Sequence, residues 1–152
     1  SLGPASLTQL CLERIVQFID YFESFSGKLP QELLYELLSK LGENKKLSDK
    51  TIAKVLDPSL QRFVLKGPCA SVTDLTMFQL SRRCKGLQEL HLISCFTISD
   101  RSMQQVIPNS PELEHIEINN CPQIGDLVSG QLCPFSNQEL TYFYEDYSRN
   151  CT

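Results

Sequence analysis

The sequence predicts an α/β fold: a short repeat solenoid with one parallel sheet, preceded by an N-terminal helical segment. Three observations lead there. Segments opening at Leu60, Leu87 and Leu113 each read L-x-x-Φ-x-Φ, then a cysteine, then a Val or Ile, then an aspartate. Cys69, Cys95 and Cys121 step by 26 residues, as do Val72, Ile98 and Ile124, and Asp74, Asp100 and Asp126. Ahead of Leu47 lie two amphipathic helical patterns, which suits a repeat array whose first unit needs cover.

The chain of 152 residues suffices for one domain with an appendage, and 41% apolar with 21% charged residues is ordinary for a globular protein. A net charge of −4 argues against nucleic acid as partner, because phosphate binding needs clustered Lys and Arg. Lys45-Lys46 and Arg82-Arg83 are the basic doublets, and both read as solvated surface. No apolar run has transmembrane length and no signal peptide is visible, so no membrane partner is expected. Seven cysteines without a CxxC pair support neither a zinc knuckle nor a thioredoxin-like motif. No metal and no cofactor are expected. Repeat-spaced cysteines point to reduced thiols and a cytoplasmic or nuclear setting.

The elements follow in order. Ser6-x-x-Gln9 is a capping box opening a helix to about Phe22, with Leu7, Leu10, Cys11, Ile15, Phe18, Ile19 and Phe22 on one broad face. Of these, Phe18, Ile19 and Phe22 are expected to anchor the helix to the domain, while Leu12, Val16 and Tyr21 need cover elsewhere. "ESFSGK" reads as a polar loop. A second helix opens at Pro30, carries Leu29, Leu33, Leu37 and Leu41 at four-residue intervals, and stops at Gly42. Residues 1–46 thus form the helical front, 47–126 the repeats and 127–152 a C-terminal cap or divergent tail.

Within a repeat, Φ-x-Φ is a short strand with alternate residues turned inward, expected near 62–66, 89–93 and 115–119. The Thr, Ser or Gly before each aspartate, with that aspartate, marks a helix start. Met77 with Leu80, and Met103 with Val106, then fall on the buried side. The first unit holds one extra residue around Gly67-Pro68. After Asp126 the pattern fails, and Ser136-x-x-Glu139 reads as a capping box opening an aromatic helix over "LTYFYEDY".

The repeat resembles the cysteine-containing leucine-rich repeat, and the resemblance implies that the ladder cysteines are small buried hydrophobes where the chain leaves each strand. Ser6-Leu7-x-x-x-Cys11-x-x-x-Ile15 resembles the BC-box, by which VHL-box and SOCS-box proteins dock on elongin C. Leu29-Pro30-x-x-Leu33-x-x-x-Leu37 resembles the cullin box of the cullin-2 type. The arrangement over residues 6–126 is similar to the antagonist-of-mitotic-exit-network family and the Zyg-type receptors. The resemblance implies a substrate-recognition subunit of a cullin-RING ubiquitin ligase. Leu7, Leu10, Cys11 and Ile15 would meet elongin C of the elongin B/C pair, and Leu29, Pro30, Leu33 and Leu37 would meet cullin-2. "LPQELLYELLSKL" also resembles the opening of an F-box, which binds Skp-type adaptors, but the chain has no Trp for the third helix of that motif.

An enzyme is not expected. His91 and His115 sit near Glu89 and Glu117, with no motif that sets up a nucleophile. Cys84 lies among Arg82, Arg83 and Lys85, a setting that can lower a thiol pKa. The outward strand columns, Arg62/Glu89/His115, Val64/His91/Glu117 and Lys66/Ile93/Asn119, make a mixed polar surface for an unknown protein substrate. A leucine-rich repeat scaffold or an inhibitor of a signalling protein, with no ligase involved, is the alternative.

Overall fold

A computed structural model describes residues 6–125 and the backbone of 141–145. It is a mixed helix-and-strand structure built on a small parallel sheet. Helix α1 (Leu7–Gln17) ends in a 3₁₀ turn (Ile19–Tyr21) and is followed by α2 (Gln31–Glu43) and α3 (Asp49–Val55). Then β1 (Arg62–Lys66), α4 (Asp74–Arg83), β2 (Glu89–Ile93), α5 (Asp100–Asn109), β3 (His115–Asn119) and β4 (Thr141–Glu145) alternate along the chain. The strands pair in parallel in the order β1-β2-β3-β4.

Register follows the sequence period. Arg62 faces Glu89, which faces His115, and Val64, His91 and Glu117 line up in the same way. One strand face carries Phe63, Leu65, Leu90, Leu92, Ile116 and Ile118, all buried; these pack with Met77, Leu80, Met103 and Val106 of α4 and α5 in one core. A unit with five-residue strands and ten-residue helices has no other way to bury both apolar faces.

The aspartate column does more than start helices. Asp49 accepts hydrogen bonds from the Thr73 N–H (2.9 Å) and from the hydroxyls of Thr73 (2.7 Å) and Thr76 (2.5 Å). One unit on, Asp74 accepts from the Ser99 N–H (2.8 Å), the Ser99 hydroxyl (2.6 Å) and the Ser102 hydroxyl. Asp100 accepts from the Gly125 N–H at 3.0 Å. Each carboxylate therefore sits in the first turn of one helix, where the dipole favours it, and stitches that helix to the start of the next unit. Asp126 lies outside the described residues.

The ladder cysteines are free thiols. Cys95 and Cys121 are buried, and Cys69 is partly covered. Cys95 donates toward the Leu65 carbonyl (3.4 Å) and Cys121 toward the Leu92 carbonyl (3.4 Å), one strand back in each case. The middle thiol, Cys95, is held well above the ordinary thiol range, first by hydrogen bonds with Cys121 and Cys69 and then by burial. The extra residue of the first unit falls at Gly67, whose N–H donates to the Ile93 carbonyl at 2.7 Å. A Cβ there would stand 2.1 Å from the Ser94 carbonyl oxygen, so the close approach requires glycine.

Several sequence expectations change. The second helix does not stop at Gly42 but reaches Glu43, and Lys45 takes the left-handed position (φ 56) that ends it. The Lys46 N–H reaches the Leu41 carbonyl and the Lys45 N–H the Gly42 carbonyl, a Schellman pair. Pro30 is correspondingly the N-cap and not the first helical residue. In the tail, residues 141–145 form a strand where a helix was expected. "TYFYE" is rich in β-formers, and strand β3 offers it an unpaired edge. The Ser136–Glu139 capping box lies outside the described residues.

Candidate functional site

Helix α1 defines the first candidate surface. Its Leu7–Cys11 arc faces outward as expected, but two of its three expected anchors, Phe18 and Phe22, are replaced by Leu12 and Val16. Leu12 and Val16 are each 2% exposed and, with Ile19, anchor it; Phe18 and Phe22 do not. Leu7 is 77%, Leu10 49% and Phe18 41% exposed, Cys11 is exposed, and Ile15 is partly covered. The predicted elongin residues Leu7, Leu10, Cys11 and Ile15 therefore share an outward stripe with Phe18 as its C-terminal neighbour. Ser6 caps the start, its hydroxyl accepting from the Gln9 N–H at 3.2 Å.

Two lysines explain the orientation. The Lys46 ammonium donates to the carbonyls of Val16 (3.1 Å) and Gln17 (3.2 Å), and the Lys54 ammonium to that of Ile19 (3.0 Å). These carbonyls lie at the C-terminal end of α1 and its 3₁₀ turn, where a cation is favoured. Sequence reading missed both, since a lysine that spans 30 or 35 residues to a carbonyl has no local signature. Phe25, in the expected polar loop, is buried, and its N–H donates to the Lys54 carbonyl at 2.8 Å.

Asp57 locks the same loop to the repeats. Its carboxylate accepts from the Gly27 N–H (2.6 Å) and the Ser59 N–H (2.8 Å), and its carbonyl from the Cys84 thiol (3.2 Å). Burial alone would raise the Asp57 pKa, but hydrogen bonds from Ser59, Gly27 and Ser26 outweigh it and hold the carboxyl at about 2. Gly27 suits the contact because its φ is +71. Cys84 is wholly buried, and burial pushes its thiol up to about 11, so its basic neighbours do not activate it. One of them, Arg83, is occupied in donating to the carbonyls of Ala53 (2.8 Å) and Leu56 (2.7 Å) at the end of α3.

The predicted cullin residues divide. Pro30 is exposed and Leu29 and Leu33 are partly covered, but Leu37 is wholly buried. Leu37 faces the core on the same arc as Leu34 and Leu41, so it holds α2 in place and offers nothing to a partner. Tyr35, unnoticed in the sequence, covers the β1 edge: its phenol oxygen accepts from the N–H groups of Gln61 (3.2 Å) and Arg62 (3.0 Å).

The outward strand face is the second surface. Glu89 and His91 on β2 stand beside His115 and Glu117 on β3. His91 Nδ1 lies 2.6 Å from Glu117 Oε2, and its Nε2 lies 3.4 Å from Glu89 Oε2. Arg62 Nε is 3.4 Å from the same Glu89 oxygen. The two imidazole rings are 5.3 Å apart. Val64 borders this cluster, and with Arg62, Lys66, Tyr35, Leu38 and Leu47 it lines a groove of about 490 Å³ between α2 and β1.

Fold and surfaces together define a chain with a parallel sheet, an open polar strand face and one helix turned apolar side out. No family model matches it. Among curated proteins it is similar to the DNA repair protein rhp7 of Schizosaccharomyces pombe, 27% identical over 112 residues, which is 72% of this chain and 19% of that protein. The chain thus spans about a fifth of the length of this relative. Among solved structures it is similar to Leiomodin-1 Actin-Binding Site 2, with a TM-score of 0.46 and 14% identity, over 94% of this chain and 82% of that one. Among the described residues no helix is long and apolar enough to cross a membrane.

Proposed function

We propose that this chain is the substrate-recognition subunit of a cullin-RING ubiquitin ligase. In this reading it is a short leucine-rich repeat solenoid that docks on elongin C of the elongin B/C pair through α1. Its strand face meets a protein substrate, inside the cell. The supporting observation is the outward stripe of Leu7, Leu10, Cys11 and Phe18 on a helix that is fully anchored by other residues. A helix-in-groove contact uses apolar anchors at i and i+4, and Leu7 with Cys11 has that spacing. Cullin-2 would meet Leu29, Pro30 and the uncovered part of Leu33. Free thiols suit a reducing compartment. Net charge of −4 argues for protein and not DNA as the direct ligand, in a repair setting or any other.

Co-expression with elongins B and C tests the reading. The wild-type chain should co-purify with both, and Leu7→Ala with Cys11→Phe should abolish this while the thermal midpoint hardly moves. Purification without elongins would overturn it in favour of a scaffold or inhibitor. Capture by a Skp-type adaptor would move it to the F-box class.

A further inference from the structure

We propose that His91, His115 and Glu117 form a divalent transition-metal site, fitted to Zn²⁺, on the open strand face. One ligand atom from each of the three lies within 4.8 Å of the other two. A tetrahedral zinc with bonds of about 2.0–2.1 Å needs ligand atoms roughly 3.3 Å apart, so closure takes side-chain rotations of about an ångström or two. The His91 Nδ1 to Glu117 Oε2 contact at 2.6 Å opens slightly as the metal replaces the proton between them. No backbone movement is required, because the parallel register already sets His91 against Glu117.

The donor set selects the metal. Two imidazoles and one carboxylate suit zinc and its transition-metal neighbours, whereas calcium and magnesium prefer all-oxygen sites. A fourth position is left for water. The surroundings support the first three ligands. Glu89 Oε2 lies 3.4 Å from His91 Nε2, the far nitrogen when Nδ1 holds the metal, and Arg62 fixes that carboxylate. A carboxylate behind a metal-bound histidine orients the ring and raises its basicity. Glu89 is here a positioning residue. All three ligands are partly covered and stand on strands held by the sheet, which limits what ordering them costs. The site stands apart from α1, so it fails or holds independently of elongin docking, while sharing the strand face that the ligase reading gives to the substrate.

The chain contains two histidines, which makes the test direct. Zn²⁺ alone is titrated into the full chain while the imidazole proton signals are followed by NMR, and Co²⁺ is titrated in parallel by visible absorption. Both imidazoles should shift together and saturate at one metal per chain. Co²⁺ should give tetrahedral d–d bands without thiolate charge transfer. His115→Gln and Glu117→Gln should each weaken binding about tenfold or more with an unchanged circular dichroism spectrum, and Glu89→Gln by less. Should either variant lose its fold, the wild-type NMR titration still decides. The proposal is overturned if neither or only one imidazole responds, if Co²⁺ shows thiolate ligation through the cysteines, or if folded His115→Gln binds as tightly as wild type.

Discussion

The two sides of α1 make a sharp pair of predictions for Leu12 and Leu7, five residues apart on one helix. Leu12 is 2% exposed and belongs to the core, whereas Leu7 is 77% exposed. Leu12→Ala removes three buried carbons and leaves a cavity, a change worth about 2–5 kcal/mol. For a chain of this size that lowers the thermal midpoint by about 5–15 °C. Leu7→Ala deletes surface already in water and should stay within roughly half a kcal/mol of wild type. Calorimetry reads the global effect, and amide hydrogen exchange over 7–21 reads whether α1 detaches first, since Lys46 and Lys54 hold only its carbonyl end. Equal destabilisation by Leu7→Ala and Leu12→Ala would make Leu7 a core residue and remove the outward stripe.

Other outcomes follow from named contacts. Asp57 has a folded pKa of about 2 against an ordinary 3.8, so its contribution is full above about pH 4 and is lost as pH falls through 2. The shift corresponds to about 2 kcal/mol, and urea unfolding of Asp57→Asn between pH 2 and 6 should lack that part of the pH dependence; parallel curves for the two proteins would refute the assignment. Asp74→Ala strands the Ser99 and Ser102 donors and should cost about 3 kcal/mol, with a non-additive double-mutant cycle against Ser102→Ala. Gly67→Ala drives a Cβ into the Ser94 carbonyl and should cost about 1–3 kcal/mol, while Gly86→Ala, whose Cβ would meet only the Pro58 oxygen at 3.9 Å, should be nearly neutral in the same melting experiment.

The repeat was legible because its physics is local and recurrent. A strand with alternate burial, a thiol at the turn and a capped helix each leave a mark in sequence, and the 26-residue step aligns the marks. Strand β4 obeys the step, with Thr141 beside His115, although the Ser136-x-x-Glu139 pattern predicts a helix there. Glu139 stands where a leucine is expected and Tyr147 where a cysteine is expected, so both signals of the column are missing. The outward columns could be aligned by the same counting. Their chemistry was less visible: the His–Glu cluster draws ligands from two strands, and a polar surface for a protein partner explains the same residues equally well at the level of sequence.

The anchors of α1 were illegible for a different reason. Apolar residues at 7, 10, 11, 12, 15, 16, 18 and 19 cover most of the helix circumference, so periodicity marks an apolar helix without choosing its inner side. The choice is made by tertiary partners: Lys46 and Lys54 grip the carbonyl end, and Leu12, Val16 and Ile19 join the common core with α2 packed alongside. This division has a consequence for function. Anchoring uses one arc and leaves the Leu7–Cys11 arc free of any folding role, so that arc can be optimised for a partner at little expense to stability. A cap helix whose only task was covering the first repeat would place polar residues there, as Glu36 and Glu43 are placed on the outer side of α2. The apolar outer side of α1 is therefore unexplained by folding, which is what supports the docking reading proposed above.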